Sequence, residues 1–344
     1  TDNEGLITLV SKESELDVME TIFMKSKNEY SMGEKFYRKD ILSIMQIALL
    51  DYHLTRNKDS IENVIESFIA KFLNVRFPIK DLRFKFAKSD TGFLEKIRII
   101  APEFDFLLKQ YQLYVQDGKI DFELLEFSSE PLRLSEINSL VSVKYVYANS
   151  PEIGILKSNF FSDQSMLYYV EPFKEKYNNL YDLLTNENVR FEDFKDYQKD
   201  GIKYFVDKKY LYIDSDDFVK INNEILLFIV SQLNKNGVLS YWHYPLVVRN
   251  SIDEMLNSSL LISESKLLSK QEIMYFNYHL NKREFTNGLD LRNKYLHGTN
   301  TSSEEKHKTE YYILLKLIVL ILFKMKDDLL ICEYANNNTQ NINY

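Results

Sequence analysis

A mainly α-helical fold is what this sequence predicts, and three observations carry the expectation. Apolar residues recur at helical spacing through long stretches, serine-x-x-acid patterns that suit helix N-termini punctuate the chain, and breakers are scarce, with nine glycines and six prolines among 344 residues. The expected order is a helical N-terminal region over 1–130 and a mixed α/β middle over 131–245 with a candidate β-hairpin. A C-terminal four-helix bundle over 246–330 and a polar tail over 331–344 follow.

In the N-terminal region, "SELD" (Ser14, Asp17) and "SMGE" (Ser31, Glu34) each read as a capping box ahead of an apolar-periodic run. "SIENVIESFIAKFLN" places Ile61, Val64, Ile65, Phe68, Ile69, Phe72 and Leu73 along one helical face, and Pro78 lies just beyond its end. In the middle, Asp117-Gly118 reads as a turn between short strands, and Asp207 to Lys209 as a turn pairing "IKYFV" with "YLYI". "NNEILLFIVSQLNKNG" reads as a helix ending at Gly237. A hairpin beside helices gives the middle region a winged-helix-like outline. "DSDD" (Asp214 to Asp217) is a solvated turn rather than a calcium loop, since Phe218 occupies the fifth ligand place and Ile225 the place of the bidentate glutamate. The aromatic cluster Tyr241, Trp242, His243 and Tyr244 is expected to bury itself at a domain seam.

Beyond Pro245, Ser251/Glu254, Ser269/Glu272 and Ser302/Glu305 repeat the S-x-x-E pattern, with Asn287/Asp290 a weaker form. These four starts predict helices over 252–262, 270–282, 289–297 and 303–328, joined by connections short enough for antiparallel packing. The most apolar run extends from Tyr311 to Phe323 and contains Lys316. A membrane span needs about 20 apolar residues, more than this run supplies, so a buried helix and no membrane contact are expected.

Composition narrows the function. A single cysteine, Cys332, can form neither an internal disulfide nor a thiolate metal cluster, which favours a reducing, cytoplasmic compartment. A formal charge of −8 argues against a protein that coats nucleic acid nonspecifically. Locally the balance reverses: between Tyr278 and Gly298, Lys282, Arg283, Arg292 and Lys294 outnumber Glu284 and Asp290. The chain opens on Thr1 rather than methionine, which fits a processed chain or a piece of a longer protein.

That basic segment contains "GLDLRNKYLHGTN". Arg292 falls in the first turn of the third expected helix, His297 at its end, and Gly298 suits a C-terminal cap. Asn293 and His297 are four apart and share a face, and the arginine is long enough to reach round to them. An arginine binds phosphate through paired N–H groups and stays charged, while a histidine moves protons near neutral pH. Neither role needs a metal or cofactor. The plainer account pairs Arg292 with Asp290 or Glu284 at the surface and leaves His297 to cap its own helix.

"LRNKYLHG" (Leu291 to Gly298) resembles the R-x4-6-H signature of the HEPN superfamily, whose motif lies at the third helix of a four-helix bundle. The resemblance covers the segment 246–330, with specific identity confined to the motif. It implies a metal-independent endoribonuclease of a bacterial phage-defence (abortive-infection) or toxin system, cleaving RNA by 2′-hydroxyl transesterification. It also implies a homodimer or higher homo-oligomer with facing motifs, and an inhibitory or sensing partner. Arg292, Asn293 and His297 are the catalytic residues it carries over. Some members add an acid from a preceding helix; Glu254 and Glu272 are positioned for it but are already accounted for as caps. His279 reads as a partly buried residue rather than one approaching the site from the second helix, and His307 has no assigned role. Two other classes remain open: a catalytically silent HEPN-like scaffold that binds RNA or protein, and a winged-helix DNA-binding regulator, against which Asp214, Asp216 and Asp217 argue.

Overall fold

The computed structural model describes residues 5–7, 28–88, 90–127, 132–282, 284–296 and 303–342. It is mainly helical, at 62% helix and 7% strand. In chain order the elements are α1 (Glu34–Arg56), α2 (Ile61–Ser67), α3 (Phe93–Asp117), α4 (Phe122–Phe127), β1 (Tyr145–Ala148), α5 (Pro151–Phe160), α6 (Leu180–Asn186) and α7 (Asp196–Asp207). They continue as β2 (Leu211–Ile213), β3 (Val219–Ile221), α8 (Glu224–Asn236), β4 (Leu239–Ser240), α9 (Leu246–Asn257), β5 (Leu261–Glu264), α10 (Lys270–Leu280), α11 (Leu291–Leu296) and α12 (Glu304–Ile342). No helix among the described residues is long and apolar enough to cross a membrane.

The chain divides into two compact units, one of residues 1–144 with 264–344, the other of 145–263. This division replaces the expected bundle boundary at 246. The C-terminal segment from Glu264 onward closes its core with helices from the N-terminal segment that ends at Lys144, and α9 belongs to the other unit. The reason lies in what each buried face needs. Tyr311, Leu314, Leu315, Ile318, Leu322 and Met325 of α12 share one apolar cluster with Ile97, Phe104, Leu107 and Tyr111 of α3 and with Tyr275 and Phe276 of α10. Short α10 and α11 cannot cover so long an apolar helix, so α1 and α3 complete the bundle.

Buried charges tie the same segments together. Asp328 is fully buried and accepts from Lys144 Nζ at 2.6 Å, Tyr111 Oη at 2.7 Å, Ser139 Oγ at 2.5 Å and the Leu140 N–H at 2.8 Å. Lys324 pairs with Glu272 at 2.9 Å, both fully buried. Lys316, the charge inside the most apolar run, reaches Asp40 at 2.6 Å, and the run is a buried helix as expected.

Local chemistry explains which expected elements formed. Ser60 caps α2 by accepting from the Asn63 N–H. The helix then widens into a π-helix over Phe68–Leu73. Ile61, Ile65, Ile69 and Leu73 are its buried apolar residues, while Val64 and Phe72 stay exposed. A four-residue spacing drifts by about 40° per step around an α-helix, and the wider winding reduces that drift. Phe77, ahead of Pro78, is extended and ends the segment. Ser269 and Glu272 form the reciprocal capping box of α10, and Gly237 closes α8 at φ +70°.

Other expectations are corrected. α1 begins at Glu34 behind Gly33, with no side-chain cap, so "SMGE" is not a capping box; "SELD" lies outside the described residues. Gly118 does take a left-handed conformation, but as the C-cap of α3 rather than in a hairpin. "IKYFV" is the end of α7, and "YLYI" contributes β2, which pairs with β3 across Asp214–Asp217. There the Asp214 carboxylate accepts from the Asp216 and Phe218 N–H groups, making the acidic run a turn. A short antiparallel hairpin is therefore present in the middle region, built from β2 and β3 over 211–221 rather than by pairing "IKYFV" with "YLYI". In the second unit β1 sits between β4 and β5. Tyr241 donates to Asp253 of α9, and Arg249 lies over Trp242 at 4.9 Å, so the aromatic cluster packs on a helix of its own unit.

The helix expected over 252–262 is α9, which starts at Leu246 behind Pro245; Ser251 and Glu254 are interior to it, and 261–264 is strand. The tail over 331–344 is not separate, because α12 runs on to Ile342. Ser302 lies outside the described residues. Ser303 serves the start of α12, its hydroxyl accepting from the Lys306 N–H and its carbonyl from the His307 N–H.

Candidate active site

The segment holding the motif is fixed by its own polar side chains. Asn287 accepts from the Tyr30 N–H and donates to the Tyr30 carbonyl, both at 2.9 Å. Gly288 follows in a turn where a Cβ would stand 3.0 Å from the Phe285 carbonyl oxygen and 3.2 Å from that of Tyr278, which accounts for glycine there. Asp290, at φ +54°, caps α11: its carbonyl accepts from the Lys294 N–H and its carboxylate from the Lys282 N–H and Asn293 Nδ2. Leu291 and Tyr295, four apart, bury the inner face. Glu310 of α12 accepts from Lys294 Nζ at 2.6 Å and from the Tyr295 hydroxyl, tying α11 to the bundle.

This leaves Arg292 facing a cavity of about 810 Å³ whose walls come from α3, α10 and the turn at Leu134–Glu136. Its guanidinium Nη2 stands 2.6 Å from Asp105 Oδ2 of α3, each side chain about one-fifth exposed. The remaining guanidinium N–H groups have no partner among the described residues. Burial pushes the Asp105 carboxyl above its ordinary value, with Arg292 and Lys109 pulling the other way. The plainer account is thus half met. Arg292 does hold an acid, but neither Asp290 nor Glu284, and it does so at a cavity wall.

Asn293 is exposed and donates to Asp290 Oδ1 at 2.8 Å, so the structure turns it to its own helix start and not into the cavity beside Arg292. His297 and Gly298 lie outside the described residues. His279 is fully buried, with neither ring nitrogen hydrogen-bonded and its Nε2 3.8 Å from Asp40; burial, reinforced by Lys316, pushes it well below its ordinary value. It is a core residue, more deeply buried than expected. Glu272 is consumed by its cap and by Lys324, while Glu254 is an exposed residue within α9. His307 is buried in the first turn of α12, its ring 5.9 Å from that of Tyr295.

No family model, curated protein or solved structure matches this chain. Among the described residues, no cluster of three or more His, Cys, Asp or Glu side chains is placed to hold a metal ion.

Asp105 is the residue that reading the motif missed. Its signal was present in "EFDF": an aspartate, a poor helix former, on a helix whose neighbouring positions Phe104, Leu107 and Leu108 are all buried. What the sequence did not contain was the fold that brings α3 against α11.

Proposed function

We propose that this chain is a HEPN-type endoribonuclease of a bacterial phage-defence or toxin system, working as a homodimer or higher homo-oligomer on RNA in the cytoplasm. The reading is carried by one observation: the motif arginine opens onto a cavity, and among the described residues a single carboxylate, that of Asp105, claims its N–H groups. In this role Arg292 binds a non-bridging phosphate oxygen and stabilises the charge that accumulates in the phosphorane. His297 exchanges the protons. The RNA 2′-oxygen loses its proton and bonds to phosphorus, the bond from phosphorus to the 5′-oxygen breaks, and that oxygen takes a proton. The products end in a 2′,3′-cyclic phosphate and a 5′-hydroxyl. Asn293 steadies the N-terminus of α11 through Asp290 rather than touching RNA. An inhibitory or sensing partner would act on this site.

The scaffold reading draws on the same ion pair, since an arginine already holding an acid also suits a structural role. Incubating total RNA with the wild-type chain or with His297→Ala, in the presence of a chelator, separates the two. Cleavage by the wild type alone supports the ribonuclease; intact RNA in both supports the scaffold.

A further inference from the structure

We propose that the cavity beside Arg292 receives one unpaired nucleobase of the RNA, read by the side-chain amides of Asn277 and Asn281. The inference rests on the ribonuclease reading and adds to it a base preference.

Three features of the cavity point to a base. Its size, about 810 Å³, lies within the range of small-ligand sites. One wall is apolar, with Phe104, Leu108 and Leu280, as the face of a base requires. Among its charged lining residues, Arg133 and Arg292 are outnumbered by Asp105, Glu136 and Glu284, so apart from the point where Arg292 meets a phosphate it favours a neutral, hydrogen-bonding occupant.

The amides supply the reading edge. Asn277 and Asn281 are four apart and line the same wall, with Asn281 Nδ2 donating to Asn277 Oδ1 at 3.1 Å. That bond fixes both side chains. It leaves the Asn277 amino group and the Asn281 carbonyl oxygen without partners among the described residues, although Asn277 is only 6% exposed. Exchanging nitrogen and oxygen in both amides leaves the same inventory, one free donor and one free acceptor. A base edge offers the complementary pair, and asparagine is a common reader of it. Both amides line the cavity, so the free donor and the free acceptor are open to an occupant.

The test uses the full chain and uncleavable RNA, so that it reads binding alone. Fluorescence anisotropy measures short 2′-O-methyl homo-oligomers of A, C, G and U, and the four nucleoside 5′-monophosphates, on the wild type, Asn277→Ala and Asn281→Ala. The expected result is one homo-oligomer bound about tenfold tighter than the weakest, with that margin falling to about threefold or less in each variant. Asn281 is half-buried, so Asn281→Ala decides the matter if Asn277→Ala fails to fold. Equal binding of all four oligomers, or a margin that survives Asn281→Ala, overturns the proposal. So does a monophosphate bound as tightly as its oligomer, which would make the cavity a free-nucleotide site. If the margin is present but natural RNA stays uncut by the wild type, the catalytic reading fails and the base pocket stands.

Discussion

Asp328→Asn should cost this protein a large part of its stability, and the size of the loss tests the architecture. Asp328 sits on α12, yet its four donors come from Tyr111, Ser139, Leu140 and Lys144, all in the N-terminal segment of the same unit. Neither Lys144 nor Asp328 has any side-chain exposure. Asparagine keeps the shape and removes the negative charge that faces the buried Lys144 ammonium. Removing one partner of a buried pair costs about 3–5 kcal/mol, against a total stability of roughly 5–15 kcal/mol for a domain. The variant should therefore fold but unfold at much lower urea concentration, read by circular dichroism at pH 7. Lys144→Met should cost less, because Asp328 would keep three donors, and the pair should couple by about 1 kcal/mol or more in a double-mutant cycle. Glu34→Gln, which breaks an exposed pair with Arg38, should change little. Losses below about 1 kcal/mol for both buried variants would mean that the pair is hydrated, and the account of how the two chain segments are held would be refuted.

Four further outcomes are expected. Arg292→Ala and His297→Ala should each lower RNA cleavage by about 10²-fold or more with unchanged circular dichroism, and the wild-type products should carry 2′,3′-cyclic or 3′-phosphate ends; 3′-hydroxyl ends would rule the chemistry out. Burial raises the Asp105 carboxyl, so its ionisation opposes folding: the effect is absent below the ordinary aspartate range and grows as pH rises through the raised value. Asp105→Asn should accordingly be at least as stable as wild type near pH 7 and should lose that advantage near pH 3, by urea titration at both values. A fragment spanning 246–330 should stay unfolded, whereas 145–263 should give a cooperative melt, because the second unit has its own buried set in Ile153, Phe160, Ile202, Leu227 and Leu233. Mixing Arg292→Ala with His297→Ala chains should restore some cleavage if two motifs share one site, with mass in solution reporting the dimer; a monomeric wild type cutting at full rate would exclude that arrangement.

What could be read in advance was what short-range physics decides. The Ser269/Glu272 box and the Gly237 stop each involve residues within one helical turn, and each formed. The same reasoning failed where one local chemistry serves two structures. A glycine with positive φ suits a hairpin turn and a helix C-cap alike, so Gly118 was compatible with either. The spacing of Phe104, Leu107, Leu108, Tyr111 and Tyr114 before it is helical and identifies the cap. Ser251/Glu254 matched a capping pattern in the interior of α9, where Val248, Ile252 and Met255 supply the buried face and Pro245 sets the start. Polar composition likewise suggested a tail over 331–344, but Ile331 is buried and Glu333 reaches Arg76 at 2.7 Å, so α12 is still anchored there.

The candidate site divides along the same line. Arg292 was legible because its helix start is built locally, by the tight turn at Gly288 and the cap at Asp290, although Tyr30, Glu310 and Asp105 then hold it in place. Asp105, Asn277 and Asn281 were not legible as a site, because they meet only when α3 packs beside α10 and α11. That packing is imposed by an apolar cluster built from both ends of the sequence, with the second unit inserted between them in chain order. A short motif can thus specify where the helix that carries Arg292 begins. What surrounds that arginine, and so what it can recognise, is set by the distant helices that the core draws together.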